Sequence, residues 1–250
     1  IIYLVIYLLL ITFSIFMKYQ LEVIIAVYHE EENIIKTLKN LLDKIKLEFR
    51  ILIVYDYEND PTVKVVKENF NDQRVFLIKN KYKEFNGAVK TAFEMCEAEA
   101  VILYTAEDHQ NYYVISEMFE KFTQGYDIVC ASRLMKGGDY KESKEPFIKS
   151  ILVKLVSFIL IKFTNLQTLD PTNGFRLFSR QVIKKFPIQS KRGFTFAIEL
   201  LAKAYRSNFK ITEIPSQNPV RNFGKSKFKY TSIIFYLPWF LYILIFPPQK

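Results

Sequence analysis

Cysteine and histidine are scarce in this 250-residue chain, which holds two of each. Cys96 and Cys130 sit in apolar stretches and read as buried free thiols. Their number and spacing exclude a disulfide framework and a zinc-finger type of metal site. Only His29 and His109 are available as histidine bases. No apolar run reaches the ~20 residues of a bilayer-spanning helix. Residues 1–16 are uncharged and nearly all apolar, but they lack the basic start and small-residue cleavage site of a signal peptide. Met17 stands directly before the first strand pattern, so this run reads either as an extension ahead of a start at Met17 or as a short membrane segment. A second apolar run, residues 231–246, is interrupted by Pro238. No internal repeat is present.

What the chain has in plenty is apolar and basic character. Half of its residues are hydrophobic, 16% are aromatic, and the formal net charge is +9. The two ends account for much of the apolar content, so the middle suits an ordinary globular domain. A basic balance fits an anionic partner such as a nucleotide, a phospholipid surface or nucleic acid, and charge does not choose among them.

From Leu21 the pattern alternates strand and helix. Strands are expected at Leu21–Val27, Arg50–Tyr55, Val75–Ile78, Ala100–Tyr104 and Asp127–Ala131. Between them lie helical patterns at Glu31–Leu47, from Asp60-Pro61 (an N-cap followed by Pro at the first helical position), at Asn86–Glu97 and at Tyr112–Gln124. Strands separated by helices of this length imply βαβ crossovers and a mainly parallel sheet. The second half is less regular. It has a polar loop at Met135–Glu145 with Gly137-Gly138, a strongly apolar helix at Phe147–Phe163, a helix at Phe194–Ser207 and a strand at Phe209–Pro215. The expected division is an apolar segment at 1–16, an α/β domain at 17–215, a basic connector at 216–230 and an apolar tail at 231–250.

In an open parallel sheet, ligands bind at the carboxyl ends of the strands. Those ends read Tyr28-His29-Glu30, Tyr55-Asp56, Thr105-Ala106-Glu107-Asp108-His109 and Ser132-Arg133. Carboxylates, a His and an Arg on one sheet edge suggest a metal and an anionic ligand, and such carboxylates argue against nucleic acid despite the charge.

These segments also carry a resemblance. Ala26-Val27-Tyr28-His29-Glu30-Glu31-Glu32-Asn33-Ile34 resembles the first motif of the family-2 glycosyltransferases, and Tyr55-Asp56-Tyr57-Glu58-Asn59-Asp60 their acidic second motif. Ala131-Ser132-Arg133 with Gly137-Gly138, Asp170-Pro171-Thr172-Asn173-Gly174-Phe175-Arg176, Glu199-Leu200-Leu201, Ile211–Pro215 and Arg221–Lys227 follow in that family's order. The branch that fits best is that of the dolichol-phosphate mannose synthases. The resemblance implies a GT-A, Rossmann-like fold: a mainly parallel sheet flanked by helices, here with apolar terminal segments. It implies a GDP- or UDP-sugar donor, a polyprenyl phosphate acceptor, inversion at the anomeric centre and a divalent metal, Mg²⁺ or Mn²⁺. It also implies a membrane-associated enzyme with its catalytic domain on the cytoplasmic side.

Residue by residue, Tyr28, Glu30 and Asp56 match nucleotide-binding positions. Asp108, Arg133 and Arg176 fall at positions expected in catalysis, while Asp170, Arg221 and Lys227 are expected to meet the acceptor or its phosphate. Glu107 and His109 are the metal candidates. Here the chain departs from the usual Asp-Ala-Asp-x-Gln: Thr105 and Glu107 replace the two Asp, and His109 replaces Gln. One or two carboxylates plus substrate phosphates suffice for Mg²⁺ or Mn²⁺, and a His suits Mn²⁺ somewhat better. Simpler readings stand beside these: Asp60 as a helix cap, Asp170 as the cap of the turn at Pro171, Arg133 and Arg176 as ion-pair partners within the fold.

A lipid phosphate is mostly dianionic near neutral pH, because its second pKa is about 6. It is already a nucleophile, so the shortage of histidine is no obstacle. Stabilising the departing diphosphate is the harder task, and metal and fixed cations do it electrostatically. The basic stretch Arg221–Lys229 beside an apolar tail suits an anionic membrane surface. Two alternatives stay open: a family-2 transferase with a glycan or other acceptor, and a non-catalytic nucleotide-sugar-binding module.

Overall fold

Leu21–Val27 (β1) and Phe49–Tyr55 (β2) are apolar runs with scarcely an interruption, the pattern of strands covered on both faces. The computed structural model describes residues 19–140, 147–218 and 234–249. Residues 1–16 and the basic stretch with Arg221 and Lys227 lie outside the described residues. Between β1 and β2 runs α1 (Glu31–Lys44), whose first turn carries Glu31 and Glu32, charges that complement the helix dipole. Next come α2 (Pro61–Asn69), β3 (Val75–Lys79), α3 (Glu84–Met95), β4 (Ala100–Tyr104), α4 (Tyr112–Thr123) and β5 (Ile128–Ser132). The second half contributes α5 (Phe147–Phe163), β6 (Arg176–Ser179), α6 (Arg180–Lys185), α7 (Phe196–Arg206), β7 (Ile211–Pro215) and α8 (Leu237–Ile245).

The described strands form one seven-stranded sheet in the order β3-β2-β1-β4-β6-β5-β7. All neighbours are parallel except β6, which runs antiparallel to both β4 and β5. The chain winds outward from β1 through β2 to β3, then returns to lay β4 on the other side of β1. This reversal opens a crevice at the carboxyl ends of β1 and β4, where doubly wound sheets bind ligands. Period-2 alternation sends Val23, Ile25 and Ile51 to a core under α1, α2 and α4, and Ile24, Leu52 and Val54 to a core under α3, α7 and α8.

The expected strands and helices recur within a few residues of their limits. β6 and α6 were not expected. Four residues are too few to display a period, and the reversed direction of β6 breaks the βαβ rhythm. Ser179 ends β6 and caps α6 by accepting from the Val182 backbone N–H.

The apolar tail is part of this fold from Ile234 onward. Ile243 is buried with α7 residues in the same core, and the Trp239 Nε1–H donates to Ser190 Oγ at 2.9 Å. Nine residues of α8 rise only about 14 Å. Among the described residues, no helix is long and apolar enough to cross a membrane.

Candidate active site

The β1 and β2 ends are locked together by Asp60. Its carboxylate caps α2 by accepting from the Thr62 N–H at 2.8 Å, and it also accepts from the His29 N–H at 3.1 Å. The Glu30 N–H donates to Thr62 Oγ1 at 2.8 Å. Asp60 is thus the helix cap expected from Asp60-Pro61 and also a clamp on the β1 loop, whose His29 lies at φ 53°. Glu30 is buried and its Oε2 accepts from Asn33 Nδ2, so this carboxylate is turned into the start of α1. Tyr28 is exposed, with its ring 6.3 Å from that of Tyr57, also exposed. Beside them Asp56 is half-buried, and its Oδ1 accepts from Asn80 Nδ2 at 2.6 Å. Two open aromatic rings and a carboxylate make a surface on which a base can stack and donate.

At the β4 end, Asp108 and Glu107 face different surroundings. Asp108 is buried and accepts from the Gln110 N–H, the Asn111 N–H and Asn111 Nδ2, at 3.2, 2.9 and 2.8 Å. Burial raises its carboxyl above the usual range, a push that these donors only partly offset. Asn111, also buried, exchanges hydrogen bonds with the Gln217 backbone at 2.9 and 3.0 Å. Asp108 therefore belongs to a latch that ties the α4 start to the chain leaving β7. There its carboxylate is engaged by the Asn111 side chain and two backbone N–H groups. Glu107 and His109 are half-buried, and His109 Nδ1 lies 3.1 Å from the Glu107 carbonyl. In the tautomer that donates from Nδ1, Nε2 is the ligand nitrogen. No group of three or more metal-ligating side chains occurs among the described residues. The fit to a divalent ion is thus that of one carboxylate and one imidazole, with the remaining ligands left to a diphosphate.

The β5 and β6 ends hold the two arginines. Arg133 grips Asp170 bidentately, Nε to Oδ2 at 2.7 Å and Nη2 to Oδ1 at 3.0 Å, and its backbone N–H adds a third donor. Burial would raise the Asp170 carboxyl, but the Arg133 charge and its hydrogen bonds outweigh that and hold it below the usual carboxylate range. The Arg133 guanidinium also lies 4.8 Å from the Tyr140 ring centroid and 3.4 Å from Asn218 Oδ1. Arg176 is fully enclosed. It donates to the carbonyls of Ala197 at 2.6 Å, Pro171 at 2.6 Å and Asp170 at 3.2 Å. Arg133 is thus held by an ion pair and Arg176 by backbone carbonyls. Asp170 likewise faces Arg133 rather than the open edge. Tyr236, at the start of α8, has a hydroxyl pushed up to about 12 by burial, against the opposing charges of Arg176 and Arg133.

Of the expected residues, the edge gathers Tyr28, Asp56, Glu107 and His109 on accessible positions, and draws Glu30, Asp108, Asp170 and Arg176 inward as its scaffold. Asn80, Asn111 and Tyr236 were missed. Isolated amides and one aromatic in an apolar run give no motif to notice.

The sequence model described as glycosyl transferase family 2 matches residues 22–186. A dolichol-phosphate mannosyltransferase of Pyrococcus furiosus is 27% identical over 224 residues, covering 87% of this chain and 62% of that protein. An undecaprenyl-phosphate 4-deoxy-4-formamido-L-arabinose transferase of Proteus mirabilis is 23% identical over 221 residues, covering 86% and 64%. The chain spans between 50% and 64% of the length of the curated relatives it matches. Among solved structures, glucosyl-3-phosphoglycerate synthase from Mycobacterium tuberculosis in complex with UDP superposes with a TM-score of 0.67 at 10% identity, covering 92% of this chain and 82% of that one. A mannosyltransferase from Pyrobaculum calidifontis in complex with GDP-Man and Mn²⁺ gives a TM-score of 0.60 at 15% identity, covering 83% and 59%. The likeness to these structures establishes the GT-A type of fold, and the family match over most of the sheet establishes that the chain belongs to glycosyl transferase family 2.

Proposed function

We propose that this chain is the catalytic part of an enzyme that transfers a sugar from a GDP- or UDP-sugar to a polyprenyl phosphate at a membrane surface, with inversion. The observation that carries the acceptor half of this reading is the position of α8. Its outer side, together with that of α5, is apolar and open to solvent. Phe158 and Phe163 on α5 are 59% and 66% exposed, and Ile234 and Ile245 at the two ends of the α8 segment 66% and 63%. A face of this kind, flanked by Lys154 and Lys162, suits helices that lie in the interface of a bilayer. A lipid held there would present its phosphate beside the site. The names of the two lipid-phosphate relatives support the same acceptor class.

In this reading Tyr28 and Asp56 hold the base. Glu107 and His109 would hold Mg²⁺ or Mn²⁺ against the donor diphosphate, and the ion would offset the charge that develops there. A phosphate oxygen of the acceptor attacks the anomeric carbon, and the bond from that carbon to the diphosphate oxygen breaks, its electron pair leaving with the nucleotide. Arg133, Arg221 and Lys227 supply positive charge for the phosphates, Arg133 while still held by Asp170. The basic stretch around Arg221 supports placement of the domain at an anionic, cytoplasmic leaflet.

The experiment is sugar transfer from a panel of GDP- and UDP-sugars to polyprenyl phosphate in detergent, with Mg²⁺, Mn²⁺ or EDTA. Transfer from one donor, abolished by EDTA, is expected. Transfer that survives EDTA keeps the enzyme and discards the metal. Nucleotide binding with no transfer to any acceptor overturns the proposal in favour of a binding module.

A further inference from the structure

We propose that Asn80 is a positioning residue for the nucleotide base, and that through Asp56 it selects a base presenting a ring N–H, as uracil and guanine do, over cytosine, which presents a lone pair there. The inference rests on the reading of the β1–β2 edge as the nucleotide site. Asn80 follows β3 and is only 7% exposed. Its amide has one possible orientation. The Tyr82 N–H and Thr91 Oγ1 both reach the same Asn80 atom at 3.0 Å, and a backbone N–H can only donate, so that atom is Oδ1. Nδ2 is then obliged to donate. It does so to Asp56 Oδ1 at 2.6 Å and to the Glu84 carbonyl at 3.0 Å.

Two consequences follow from that orientation. First, Asp56 Oδ1 is engaged from below, and Oδ2 accepts no hydrogen bond among the described residues. The free oxygen of an ionised carboxylate accepts and cannot donate, so it rewards a base with an N–H and repels one with a lone pair at that place. Second, Asn80 ties Asp56 to a strained turn. Lys83 and Glu84 lie at φ 59° and 58°, and Lys83 has ψ 165°, a region that is essentially glycine's. Strain of this kind persists where surrounding contacts over-determine it, and here the Asn80 bond to the Glu84 carbonyl is one of those contacts.

The test is nucleotide binding by calorimetry, with UDP, GDP and CDP as probes, on the wild-type protein and on Asn80→Asp, Asn80→Ser and Asp56→Ala. Asn80→Asp is isosteric and can still accept from Tyr82 and Thr91, but it replaces the donation to Asp56 and Glu84 by a second carboxylate oxygen facing them. The expected result is that wild type prefers UDP or GDP to CDP by roughly ten- to hundred-fold, the worth of one hydrogen bond to a charged group. That preference falls by about tenfold or more in Asn80→Asp, and where transfer is measured the donor KM rises more than kcat falls. Asn80→Ser, which keeps a small polar group and adds no charge, lowers the preference too and serves if the Asp variant fails to fold. An unchanged preference in a folded Asn80→Asp or Asn80→Ser overturns the inference. If Asp56→Ala in the same series loses the preference, the base reading of the edge survives that failure; if Asp56→Ala also binds all three as wild type does, the base reading falls with it.

Discussion

Removing the Asp170 carboxylate is the perturbation whose cost the structure specifies best. Asp170 is fully buried, and the Arg133 side chain is 11% exposed. The carboxylate takes two guanidinium hydrogen bonds and the Arg133 backbone N–H, and Thr172 Oγ1 stands 3.4 Å away. Asp170→Ala leaves a largely buried guanidinium without its carboxylate partner. Breaking a buried pair from one side costs about 3–5 kcal/mol. For a chain of this size that is a fall in Tm of roughly 6–20 °C. The pH dependence has a fixed sign. The Asp170 carboxyl is depressed in the fold, so its contribution is fully present above the unfolded carboxyl value near 3.9 and is lost as pH falls through the lower folded value. The assay is urea denaturation of both proteins from pH 7 down to pH 3. Wild type is expected to lose stability at the acid end, and the variant to start lower and lose less. A variant within 1 kcal/mol of wild type at pH 7 would refute the assignment of Asp170 as the anchor of Arg133.

Further outcomes follow from other contacts. A Cβ on Gly138 would stand 2.5 Å from the Ser132 carbonyl and 2.8 Å from that of Arg133, so Gly138→Ala should cost about 1–3 kcal/mol by denaturation and disturb the loop that pairs with Gln217. Asp60→Ala should cost about 1–2 kcal/mol through the lost cap, and more through the orphaned His29 N–H, again by denaturation. Glu107→Ala should lower Mn²⁺ affinity in the nucleotide complex by about tenfold or more, measured by titration, with thermal stability unchanged. Replacing Phe158 and Leu241 together by Glu should cut binding to anionic vesicles by about tenfold or more, read by flotation, because each exposed apolar side chain contributes about 1.5–3 kcal/mol when it leaves water.

The sheet was legible because its strands are written in long β-branched runs. Leu21–Val27 and Ala100–Tyr104 fall where the pattern put them, and Asp60-Pro61 announced its helix by cap chemistry. The sheet edge where the candidate site gathers was legible from strand order. The direction of single side chains was not. Glu107 and Asp108 are neighbours of one charge, and only the fold decides that the second turns inward to meet Asn111. Arg176 looked like a cation for an anionic ligand, but it ends among backbone carbonyls of Asp170 and Pro171, just before it, and of Ala197. Asn80 acts through a partner 24 positions away and belongs to no recognisable spacing.

The most direct test of the account is a comparison of two acceptors, a short polyprenyl phosphate and the corresponding polyprenol, offered with the same nucleotide sugar. Sugar is expected on the phosphate-bearing lipid alone, since its dianion is already a nucleophile, whereas an alcohol needs a base to take its proton. Transfer to the alcohol at a comparable rate, or transfer to a glycan with neither lipid accepted, would contradict it.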